Sequence, residues 1–107
     1  MARGILGTAD ANNGSLATIY TVPADNFAVV SINVCNRNAT AQTVKVALTS
    51  DPAAVQANEY IEFNTELLGN GVLERTGIVI DAGKSIVAEA NSADLGVVVF
   101  GIETSTI

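Results

Sequence analysis

The chain of 107 residues has no histidine, no tryptophan, one cysteine and two prolines. Without histidine, every His-dependent triad, imidazole-bearing zinc cluster and facial iron site is excluded. The lone Cys35 cannot close an internal disulfide, and its place in the most apolar strand reads as a buried, inert thiol made in a reducing compartment. Basic residues are also scarce: five Lys and Arg, scattered along the chain, stand against eleven Asp and Glu, for a net charge of -6. Such a surface repels a phosphate backbone, so nucleic acid is not an expected partner. Aromatic residues at 5% leave no stacking platform for a sugar. No apolar run reaches signal-peptide length before Asp10 or membrane-spanning length later, so the expectation is a soluble chain that is not exported and has no membrane partner.

What is abundant is aliphatic: 49% of residues are hydrophobic and only 15% charged. A chain of this length forms one domain, residues 1–107, and buries roughly 65% of its unfolded surface. So little charge leaves apolar surface over for a partner. The segment Phe27 to Arg37 shows how the apolar residues are arranged. Ala28, Val30, Ile32 and Val34 fall on one face by a period of two, and Val29, Ser31, Asn33 and Cys35 on the other. That period, carried by β-branched residues, predicts a strand.

Other segments follow the same rule. Arg3 to Thr8 is a short apolar stretch suited to a sheet edge or a neighbouring subunit, and residues 1–14 are available as an N-terminal arm. Asn13-Gly14 reads as a tight turn. Leu16 to Val22 predicts a strand ended by Pro23, and the Pro23 to Asn26 turn makes it the antiparallel partner of the Phe27 strand. Gln42 to Thr49 alternates Val44, Val46 and Leu48 against Thr43, Lys45, Ala47 and Thr49, which predicts one solvated face. Asp51-Pro52 opens a helical turn through Gln56. Glu59 to Glu66 predicts a strand with a polar outer side, and Gly69-Asn70-Gly71 breaks it. Val72 to Ile80 predicts a strand with a bulge at Gly77, followed by a hairpin turn at Asp81 to Lys84. Ser85 to Ala90 and Leu95 to Glu103 complete seven or eight short strands. The fold class is therefore all-β, an antiparallel β-sandwich of jelly-roll or immunoglobulin-like type.

Motifs that would carry chemistry are incomplete. A calcium loop starting at Asp10 would need glycine and glutamate where Ser15 and Thr21 stand. Gly83-Lys84-Ser85 resembles the end of a phosphate-binding loop, but Ile78 holds the place of its first glycine. Glu59, Glu62 and Glu66 are the only carboxylates spaced for glycoside hydrolysis, and on a regular strand Glu59 faces away from Glu62 and Glu66, as a solvated edge would. Glu74 and Arg75 point to opposite faces, so each is free to pair across a sheet or a subunit boundary. No catalytic, cofactor-binding or metal-binding residue is expected, nor any cofactor.

Several stretches resemble small virion structural proteins of tailed phages, including cyanophages. They are Leu-Ala-Thr-Ile-Tyr-Thr-Val-Pro-Ala from Leu16, Val-Cys-Asn-Arg from Val34, Tyr60-Ile61-Glu62-Phe63, the Gly71 to Ile80 run Gly-Val-Leu-Glu-Arg-Thr-Gly-Ile-Val-Ile, and Ala82-Gly83. The similarity spans most of residues 16 to 103. It implies a short all-β protein without enzymatic activity, located in the virion. It also implies a homotrimer that binds the major capsid protein or other virion proteins as a decoration or cement protein. A tail, neck or fibre component and a carbohydrate-binding module are the alternatives. The absence of tryptophan and of a calcium loop counts against the last.

Overall fold

The computed structural model describes residues 3–13, 15–92 and 94–107. Among these, the elements in chain order are β1 (Arg3–Asp10), β2 (Asn12–Asn13), β3 (Ala17–Thr21), β4 (Asn26–Asn36), β5 (Gln42–Thr49), a 3-10 turn (Ala57–Glu59), β6 (Tyr60–Leu67), β7 (Val72–Asp81), β8 (Ser85–Ala90) and β9 (Leu95–Ser105). They form two stacked sheets. The front sheet has the order β1-β9-β4-β7, and the back sheet the order β2-β8-β5-β6 with β3 also paired to β8. Pairing is antiparallel throughout except for the two-residue β2–β8 contact. The fold is a β-sandwich.

The alternation in β4 decides which way the front sheet faces. Ala28, Val30, Ile32 and Val34 are all buried, and their register partners on β9 include Val97 and Val99, also buried. From the back sheet Val44, Val46, Ile86 and Ala88 meet them in one core. Each fully buried Val or Ile contributes about 1.5 to 3 kcal/mol. On one side the sheets close by direct backbone approach: a Cβ on Gly7 of β1 would lie 2.3 Å from the carbonyl oxygen of Ile19 in β3, so only glycine fits. On the other side, the edge strands β6 and β7 are tied by Arg75 and Glu62.

Five expectations are corrected. The Leu16–Val22 strand does not pair with β4. β3 lies in the back sheet on β8, and the Pro23–Asn26 turn, with Asp25 at φ 63°, carries the chain from one sheet to the other. For the same reason Asp81–Lys84 is a turn between sheets and not a hairpin, although Lys84 N–H does close it on Asp81 O at 3.2 Å. No helical turn spans 53–56. Asp51 instead accepts from Ala53 N–H and Ala54 N–H, and one 3-10 turn follows at Ala57–Glu59. The outward side of β5 is not wholly solvated, since Ala47 is fully buried beside its partner Val87, and Thr49 is buried too. Cys35 is exposed, because it lies in the outward phase of β4.

The arm segment forms, over Arg3–Asp10, the edge strand of the front sheet. Thr76 and Gly77 of β7 bulge opposite the Val30–Ile32 stretch, with Gly77 at φ 70°, as expected. Of the expected Asn13-Gly14 turn, Gly14 lies outside the described residues.

Candidate protein-docking face

Register fixes what the front sheet shows on its outer side. One row across the four strands reads Arg3, Ile102, Val29, Val79, and the next begins Ile5, Phe100, Ser31. Two more rows follow: Thr8, Val98, Asn33, Glu74, and then Asp10, Gly96, Cys35, Val72. Ile5 is 72% exposed, Val79 68%, Val72 59% and Ile102 43%. The first two rows are thus a continuous apolar band whose only charge is Arg3 at one edge. Isolated surface aliphatics need no explanation, whereas a contiguous band on a flat sheet marks an interaction surface. Beyond the band, Thr8, Asp10, Gly96 and Val98 line a shallow hollow of about 270 Å³ that Gly96 leaves open by having no side chain.

Charged groups stand at the margins, Arg3 and Asp10 on β1 and Glu74 and Asp81 on β7. Arg37 pairs with Asp10 at 3.0 Å and donates from Nε to Asp94 O, and Lys84 pairs with Asp81 at 3.0 Å. The Asp81 carboxyl is held below the usual range, chiefly by the Lys84 hydrogen bond. The centre of the face therefore carries no ionised group that a partner would have to desolvate.

The three carboxylates singled out by spacing do not converge. Glu59 sits in the 3-10 turn, where its Oε1 accepts from Gln56 N–H and the Thr49 hydroxyl; these bonds, Gln56 first, lower its pKa. Glu62 and Glu66 do not share a side as a regular strand would require. Phe63 and Asn64 bulge out opposite Lys45, Asn64 takes φ 54°, and the phase of β6 reverses between them. Glu62 consequently joins Thr65, whose hydroxyl donates to it at 2.6 Å, and Glu66 is exposed on the other side. The bulge also turns Phe63 outward, where it meets Tyr60 edge-on at 5.1 Å and lies under the Lys45 ammonium at 5.0 Å. Ser85 of the Gly83-Lys84-Ser85 stretch is buried and bonded to Thr21. Among the described residues, no three Cys, Asp or Glu side chains are grouped to hold a metal ion.

The apolar band is legible in the sequence only as a surplus of aliphatic residues. Val29, Val79 and Ile102 become neighbours through the β9-β4-β7 pairing, which no local pattern announces. Comparison with protein-family models, with curated proteins and with solved structures finds no match.

Proposed function

We propose that this chain is a virion structural protein of a tailed phage, a capsid decoration protein that binds the major capsid protein in many copies as a homo-oligomer. The observation that carries the reading is the uncharged apolar band of Ile5, Phe100, Ile102, Val29 and Val79 on an otherwise acidic domain. A flat sheet face of this composition suits adhesion to protein, and it offers no enclosed cleft for chemistry. Weak contacts of this kind hold a shell when many copies are linked on one lattice, because effective concentration multiplies them. The sequence resemblance over residues 16 to 103 supports the same reading.

Copy number in purified particles tests it. Hundreds of copies per particle are expected. A handful would move the protein to a tail, neck or fibre position, and none would remove the reading. Val79→Lys, which sets an ammonium in the band, is expected to abolish incorporation without unfolding the domain.

A further inference from the structure

The outer face of the front sheet is complementary to itself, and we propose that it binds a second copy of this chain face to face, about a twofold axis parallel to the strands and midway between β9 and β4. The inference rests on reading this face as a docking surface, and it names the occupant. Rotation about that axis keeps every row at its own level and exchanges left for right. β1 of one copy then lies over β7 of the other, and β9 over β4.

Three features of the face agree with this axis. Ile102 and Val29 cover Val29 and Ile102 of the second copy, so apolar rows meet apolar rows. Arg3, at the β1 edge, arrives at the corner that holds Val79 and, one position further out along β7, Asp81. At the far end, the hollow lined by Thr8, Asp10, Gly96 and Val98 receives Val72, which projects from the β7 end of the Asp10–Gly96–Cys35 row and is 59% exposed. An axis across the strands serves less well. It lays Ile102 and Val29 over Gly96 and Cys35, so the apolar row of each copy meets a row with a bare glycine and a thiol at its centre.

The size of the face sets the strength of the pair. Four strands spaced at about 4.8 Å and nine residues along β9 give roughly 500 Å² per copy, the low end for specific interfaces. Aligned sheets at about 10 Å are the packing that sandwiches use internally. A micromolar equilibrium is expected, strengthened where copies are arrayed.

Sedimentation equilibrium on the full chain tests this, over about 10 to 500 µM to bracket a low-area interface. The expected mass rises with concentration toward twice the 11.0 kDa of one chain. Val79→Lys is expected to stay monomeric with an unchanged circular dichroism spectrum. Arg3→Asp and Asp81→Lys are each expected to weaken pairing about tenfold, since each sets like charges together twice, while their equimolar mixture restores it. A mass that stays at one chain or settles at three overturns the pair. A mixture that pairs no better than either variant overturns the axis. A monomeric chain whose Val79→Lys variant is still lost from particles overturns the pair and leaves the docking surface standing. Normal incorporation of Val79→Lys removes the docking role of the face, and the pair then stands or falls on the sedimentation mass.

Discussion

Arg75 Nε donates to Glu62 Oε2 at 2.6 Å, joining the edge strand of one sheet to the edge strand of the other. The same guanidinium donates to the carbonyl of Ile61 at 2.7 Å, and Glu62 accepts from Thr65 as well. Glu62 is 14% exposed while Arg75 is 47% exposed, so the pair sits between the buried and the screened limits. Arg75→Ala and Glu62→Gln are each expected to cost about 1 to 2 kcal/mol, with a coupling of about 1 kcal/mol in a double-mutant cycle read by urea unfolding. Additive effects would show that the bridge does not clamp this side of the sandwich.

Asn36 is the polar pin of the core. It is fully buried at the end of β4, where Nδ2 faces the carbonyls of Thr40, Leu67 and Leu68 at 3.1, 3.2 and 3.1 Å and Oδ1 accepts from Asn38 N–H. One side chain thus fastens the β4–β5 loop to the β6–β7 turn. Asn36→Leu keeps the branched shape but adds bulk and strands these carbonyls, at an expected cost of about 2 to 4 kcal/mol. Asn36→Asp is expected to be at least as damaging, because a carboxylate offers no donor to three carbonyl oxygens. Thermal melts of both variants check this, and a loss under about 0.5 kcal/mol for either would refute it.

Stability is expected to fall in alkali through Tyr20. Its hydroxyl donates to Glu103 at 2.5 Å, and its pKa is raised above the usual value near 10 by desolvation first, then by that hydrogen bond and by the negative charge of Glu103. A group that binds its proton more tightly when folded contributes fully below its unfolded pKa and loses that contribution as pH rises beyond it. Urea midpoints of the wild type should therefore decline above about pH 10, and Tyr20→Phe, less stable at neutral pH by about 1 kcal/mol, should decline less steeply. In acid the sign reverses. Glu59 and Asp81 have lowered pKa values, so their contributions are present above the usual carboxylate range and fade as pH drops through it.

Local pattern carried the strands and failed on their partners. The period of two in β4 and the extent of β5 follow from side-chain alternation, and the bulge at Gly77 from a glycine inside a β-branched run. Sheet membership does not. β3 and β4 are joined by a four-residue turn that looks like a hairpin, but their partners β8 and β9 come from the other end of the chain. In β6 the reversal at Asn64, an L residue at φ 54°, has no glycine to signal it, and it moved Glu62 inward and Phe63 outward. The outer apolar face was the least legible part, because its residues are apolar like the core and only the two-sheet stacking turns them outward.

Cys35 shows how a residue's habit can mislead where its phase does not. Cysteine is commonly buried, yet Cys35 follows Val29, Ser31 and Asn33 on the outward side of β4, and in the sandwich it is exposed between Gly96 and Val72. Its thiol should therefore react with a disulfide reagent in the native protein, one equivalent per chain without denaturant. The same position makes it a reporter of the face-to-face pair, which would cover it. Labelling at a protein concentration of about 1 µM should be complete and fast, and the rate constant per thiol should fall at hundreds of micromolar, where a low-area interface is populated. Val79→Lys should abolish that fall while leaving the dilute rate unchanged. A thiol that reacts only after denaturation would mean that Cys35 is inside after all, and with it that the outward phase of β4 is misassigned.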